Sequence, residues 1–131
     1  EGLGLLNVET TLLPEKLTRL TRAIHAASGE QISGYEIHLG KTSGPDCARP
    51  FALIAGLPEG ATSEDGLVQG TYLHGCFAED GFRHAFLKSL AVSTTNLAYE
   101  QQVEGTLDAL AKHLEQHLTL DRILELAGEV Q

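Results

Sequence analysis

Apolar and polar positions alternate in the first half of the chain and recur at helical spacing in the second. Residues 3–9, LGLLNVE, read as a short strand that Pro14 ends, since proline donates nothing to a ladder. Residues 16–27 fit two patterns. Leu17, Leu20 and Ile24 suit a helix face, while Leu20, Arg22 and Ile24 alternate as on a strand. Next come a turn-like ASGEQ and a β-rich run, QISGYEIHL, at 31–39. A hairpin over 16–39 is the preferred reading. The stretch GKTSGPDCARP is loop by composition. FALIAG at 51–56 reads as a short buried strand, LPEGATSEDG as a loop or turn, and LVQGTYLHG as one further strand.

Beyond residue 80 the period lengthens from 2 to 3.6. Phe82, Phe86 and Leu90 make one helical stripe. Val103, Leu107, Leu110, Leu114 and Leu118 make a longer one. Leu120, Ile123, Leu124 and Ala127 make a third, with Thr119 as N-cap and Gly128 just past its end. Strands first and helices afterwards predict one sheet with helices packed on it. No internal repeat or low-complexity segment interrupts the 131 residues, the length of one ordinary domain.

Composition narrows the function classes. The net charge of −9, with nine scattered basic residues, argues against nucleic-acid partners. No apolar run is long enough for a membrane span, and no signal peptide is visible. Two cysteines are too few for a disulfide scaffold and fit a reducing cytoplasm. The chain has no methionine and starts on Glu1, as a processed chain or a piece of a longer one would.

Six histidines and two cysteines are the chemical candidates. His74 stands near a strand end between Gly70 and Gly75, a good place for a general base. On residue type alone, a hydrogen-bonded structural histidine is the better reading. His38 shares a strand face with Glu36, whose carboxylate would orient or charge its imidazole, and Tyr35 lies beside them. Here too a mixed polar face is the default. Cys47 sits in a proline-rich loop near Arg49, and Cys76 in apolar surroundings two residues after His74. Both read first as unreactive, although a thiol enzyme built on either is a rival. His113 and His117 share a helix face. They lack the H-E-x-x-H pattern and a third ligand, so a solvated flank outweighs a metal site, and no metal is expected. His25 and His84 show no partner. The GLGLL at 2–6 lacks the third glycine and the following helix of a dinucleotide fingerprint, and no G-x-x-x-x-G-K-[ST] loop exists to cradle ATP phosphates.

Taken in order, GLGLLNVETTL, GYEIHLGKTSG, RPFALI, EDGLVQGTYLHGCF and GFRHAFL resemble the C-terminal glutamine amidotransferase part of the cobyric acid synthases, over essentially the whole chain. The pair GYEIH-x-G and GTYLHG carries the specificity. The amidotransferase part of cobyrinic acid a,c-diamide synthases is similar in type but less close in these strings. The resemblance implies an α/β class I glutamine amidotransferase-like (flavodoxin-like) domain in three layers with a largely parallel sheet. Residues 1–131 would supply its later strands and closing helices. It also implies a mechanism: a cysteine thiolate on a strand-to-helix elbow attacks glutamine, and a histidine relays protons. Ammonia then reaches a synthetase domain, where ATP and Mg²⁺ activate corrinoid carboxylates in cobalamin biosynthesis.

In GTYLHG the catalytic histidine of this family corresponds to His74. His38, Tyr35, Glu36 and Tyr72 are expected to line its site. Two features depart from the wider class I pattern. The nucleophile elbow would precede Glu1, and Cys76 stands where many relatives carry a glutamate two residues after the histidine. The expected partners are therefore the upstream half of the domain and the synthetase domain, with glutamine and a corrinoid as substrates. The chain alone is expected to be inactive, needing no cofactor of its own and self-associating through an exposed sheet edge. A non-catalytic module that complements such a partner is the remaining alternative.

Overall fold

The computed structural model describes residues 2–93 and 98–127. The chain divides into two units, Glu1–Leu97 and Ala98–Gln131. In the first unit, strand β1 (Glu9–His25) and strand β2 (Gln31–Ser43) form a long antiparallel hairpin. The ambiguous segment 16–27 is thus mostly strand, because its alternating face has a partner strand to bury against. The hairpin closes over residues 26–30, where the His25 amide donates to the Glu30 carbonyl at 2.8 Å and the Gly29 amide to the His25 carbonyl at 2.9 Å. Pro14 acts as its chemistry requires. It does not end the strand, but the β1–β2 register shifts between Thr11 and Lys16, around the residue that has no amide hydrogen.

Short strands complete the sheet: β3 (Ala52–Ile54), β4 (Leu57–Glu59) and β7 (Leu73–His74), in the order β4-β3-β1-β2-β7. Strands β5 (Ala61–Thr62) and β6 (Gln69–Gly70) pair separately. Every described pair is antiparallel, so the parallel part of the expected sheet is not among the described residues. Two strand expectations are corrected. Residues 4–7 are bends rather than strand, because the Asn7 amide is taken by the Asp46 carboxylate at 2.7 Å instead of by a ladder. The run LVQGTYLHG is two strands, β6 and β7, in different sheets. Its middle residues leave the ladder for the Glu59 side chain described below.

One face of the hairpin is closed by helix α1 (Asp80–Ser89). Phe82 is fully buried and shares a cluster with Ala23, Ile32, Phe51, Ala52, Leu73 and Cys76. Its ring meets Phe51 edge-on at 5.9 Å and Phe77 at 5.2 Å. His25 packs edge-on to both Phe51 and Phe82, at 5.0 and 4.8 Å, with Nδ1 2.8 Å from the Ser28 hydroxyl. The partner this histidine lacked in the sequence reading is therefore a turn serine. Burial holds its imidazole below the ordinary value, favouring the neutral ring.

The second unit contains helix α2 (Tyr99–His117) and helix α3 (Leu120–Ala127). The stripe Val103–Leu107–Leu110–Leu114 follows α2 as the period predicts, and Leu118 is its C-cap. Thr119 precedes α3 and its carbonyl accepts from the Ile123 amide at 3.2 Å. Gly128 lies outside the described residues.

Candidate functional site

Strand alternation decides which of the singled-out residues meet. In the β2–β7 pairing Tyr35 lies opposite His74, and Glu36 opposite the buried Leu73. Cross-strand partners share a face. Glu36 and His38 therefore belong to the α1 side of the sheet, whereas Tyr35 and His74 belong to the other. One site containing all five expected residues is not what the register builds.

His74 ends β7 and is exposed. Among the described residues no side chain hydrogen-bonds its imidazole. Gly75 follows at φ 79°, a left-handed conformation that glycine adopts without strain, and it turns the chain into a short 3-10 helix, Cys76–Ala78. Gly34 lets β2 lie close to this end. A Cβ there would come 2.4 Å from the His74 carbonyl oxygen. His74 is therefore open to solvent on a sharply turned strand end and fixed by its backbone.

The opposite face holds a cavity of about 510 Å³. Glu36, His38, Tyr72 and the unforeseen Glu59 line it. Glu36 is buried and accepts from Arg19 Nε at 2.7 Å. His38 Nδ1 donates to the Gly40 carbonyl at 2.9 Å, its Nε2 lies 3.3 Å from Glu36 Oε1, and its ring stacks on Tyr72 at 4.8 Å. The Tyr72 hydroxyl is 2.6 Å from that of Thr42. Glu59 accepts from the Tyr72 amide at 2.7 Å and from the Thr71 hydroxyl at 2.8 Å. Burial pushes the Glu59 carboxyl above its ordinary value. The two hydrogen bonds and His38 act against this, and the charge of Glu36 adds to it.

Neither cysteine is set up as a nucleophile. Cys76 is buried among apolar side chains, and burial raises its thiol. Cys47 lines the cavity, on a different face from His74. His113 and His117 stack at 4.2 Å on exposed α2, with His117 Nδ1 donating to the His113 carbonyl at 2.8 Å. Among the described residues no group of three His, Cys, Asp or Glu could hold a metal ion, and no helix is long and apolar enough to cross a membrane.

Glu59 was missed because LPEG looks like a solvated turn. Nothing in its composition signals that the carboxylate turns inward. The Arg19–Glu36 pair depends on the hairpin register and was equally invisible.

The sheet with its flanking helix belongs to a known class of domain, as likeness to other proteins shows. Residues 1–82 match the CobB/CobQ-like glutamine amidotransferase domain. The chain belongs to this family and has its α/β class I glutamine amidotransferase-like fold. It is 61% identical over 129 residues to the cobyric acid synthase of Cereibacter sphaeroides (strain ATCC 17023), covering 97% of the chain and 26% of that protein. It is 55% identical over 127 residues to the cobyric acid synthase of Bradyrhizobium diazoefficiens, covering 96% and 26%. Against that of Brucella suis it is 50% identical over 127 residues, covering 97% and 26%. The chain thus spans about a quarter of the length of these relatives. No solved structure matches it.

Proposed function

We propose that this chain is the C-terminal part of the glutaminase domain of a cobyric acid synthase, and that His74 is its proton-relaying catalytic residue. One observation carries the reading. The histidine of GTYLHG lies within the family match, is exposed at a strand end, and has no side-chain hydrogen-bond partner among the described residues. His74 takes the proton of a cysteine thiol, and the thiolate attacks the side-chain amide carbon of glutamine. The imidazolium then protonates the departing nitrogen as the C–N bond breaks, releasing ammonia and leaving a glutamyl thioester. His74 next draws a proton from water, which attacks the thioester and returns glutamate and thiol.

The thiol must come from outside residues 1–131. Cys76 is buried with its thiol raised, and Cys47 faces the other side of the sheet. The chain alone therefore hydrolyses no glutamine. Its partners are the remainder of the glutaminase domain and an ATP- and Mg²⁺-dependent synthetase domain that amidates corrinoid carboxylates. Leu20, Tyr35 and Leu39 give those partners, or a second copy, an apolar surface. All three are exposed, and they gather on the His74 face rather than along the sheet edges, where β4 and β7 are short. Two free cysteines suit a cytoplasmic enzyme.

The test is His74→Ala in a full-length enzyme carrying this segment. Glutamine-fed amidation falls while amidation fed by an ammonium salt persists. Equal loss of both, or of neither, would refute the assignment.

A further inference from the structure

We propose that Glu59 is a positioning residue for His74, acting through the two residues that lead into β7. This rests on the assignment of His74 given above. Glu59 ends β4 at the sheet edge farthest from β7 in strand order, yet its side chain is bonded directly to the segment before His74. One carboxylate oxygen accepts from the Tyr72 amide and the other from the Thr71 hydroxyl. The same Thr71 hydroxyl accepts from the Leu73 amide at 3.1 Å. The Tyr72 carbonyl in turn accepts from the Ile37 amide at 3.1 Å. Three consecutive residues, Thr71 to Leu73, are thus tied to a single buried carboxylate on one side and to β2 on the other.

The arrangement is costly to build without a use. A carboxylate buried beside Glu36 is worth keeping only if its bonds hold something in place. What they hold is two-residue β7, which has just Tyr35 and Glu36 as ladder partners and cannot fix its own register. Many enzymes of the wider class orient the histidine with an acid two residues beyond it. Here Cys76 occupies that place. The structure instead anchors the histidine's backbone from upstream, and among the described residues no carboxylate bonds its imidazole.

The test is a double-mutant cycle in the full-length enzyme, reading kcat and KM for glutamine hydrolysis together with the thermal midpoint. Glu59→Ala lowers kcat by about 10²-fold with KM little changed, the scale on which displacing a reacting group by about 1 Å acts. Glu59→Gln keeps one acceptor and loses roughly tenfold, and Thr71→Val, which removes only the hydroxyl link, falls between that and wild type. In a His74→Ala background, Glu59→Gln costs nothing further in kcat. A merely structural role would cost the same factor in both backgrounds and would overturn the proposal, as would unchanged kcat in Glu59→Gln. If His74→Ala itself leaves glutamine hydrolysis intact, the assignment of His74 fails, and this proposal with it. If His74→Ala is inactive while Glu59→Gln is normal, only the positioning role fails.

Discussion

The two faces of the β1–β2–β7 sheet are built from the same strands, one residue out of step, and they differ in almost every property. On the α1 face, Ile32, Glu36 and Leu73 are buried, and Glu36 is held by Arg19 and lies within reach of His38. On the other face, Leu20 is 73% and Tyr35 54% exposed, and His74 stands among them with no side-chain bond among the described residues. The closed face stores the folding energy, and the open face carries the group assigned to chemistry. Along β1, β2 and β7 a substitution should therefore affect stability or turnover according to the parity of its position.

The largest effects test that division directly. His74→Ala should lower glutamine turnover in the full-length enzyme by about 10²–10⁴-fold, the usual worth of a general acid–base group. Its denaturation midpoint should barely move, because the side chain is exposed. Phe82→Ala should do the reverse. It empties the centre of the aromatic cluster and should cost about 3–5 kcal/mol by urea titration of this chain. A destabilised His74→Ala, or a Phe82→Ala as stable as wild type, would erase the difference between the faces.

Gly34→Ala comes next, because it joins the two sides. The added Cβ would meet the His74 carbonyl at 2.4 Å, and both strands must shift to relieve a backbone clash. The expected cost is about 1–3 kcal/mol of stability, with a fall in glutamine kcat that His74→Ala makes irrelevant. Thermal unfolding and a kcat measurement on the same sample would check both parts.

Two of the buried titratable groups on the closed face, His25 and Glu59, act in opposite directions. The folded His25 imidazole lies below its ordinary 6.5, so its contribution to stability is present above that pH. That contribution is lost as the pH falls through the depressed value. The folded Glu59 carboxyl lies above its ordinary 4.5, so its contribution is present below that pH and lost as the pH rises through the shifted value. Between the two the slopes oppose each other. Removing one should expose the other in thermal midpoints collected from acid to neutral pH. His25→Gln should leave stability declining as the pH rises above about 4.5, and Glu59→Gln should leave it improving up to about 6.5. Parallel curves for both variants and wild type would contradict this.

These contrasts also mark how far the sequence could be read. The hairpin was legible because Leu20, Arg22 and Ile24 alternate and a glycine-bearing turn follows. The α1 and α2 stripes were legible because the 3.6 period is a local property. The pair GYEIH-x-G and GTYLHG led to the family. The split of His74 and Tyr35 from Glu36, His38 and Tyr72 was not legible. Parity along β2 separates Tyr35 from Glu36 at once, but whether His74 faces with one or the other depends on the β2–β7 register. That register arises from contacts between segments far apart in the chain, among them the Glu59 bonds to Thr71 and Tyr72. The bends at 4–7 were hidden for a similar reason, since Asp46 replaces the ladder there from 39 residues away.

The smallest expected effect bears on the open face. Leu20→Thr removes apolar surface that already faces water, while threonine, branched at Cβ, suits a strand. In this chain alone its stability should change by no more than about 0.5 kcal/mol. In a protein of the relatives' length, where we propose that further segments of the glutaminase domain meet this surface, the same substitution should cost more. A leucine buried there would be worth about 1.5–3 kcal/mol. The comparison of the two costs measures how much of the open face stays open in the longer protein. Equal costs in both would mean that Leu20 remains in water there, and the apolar surface around His74 would need a different occupant.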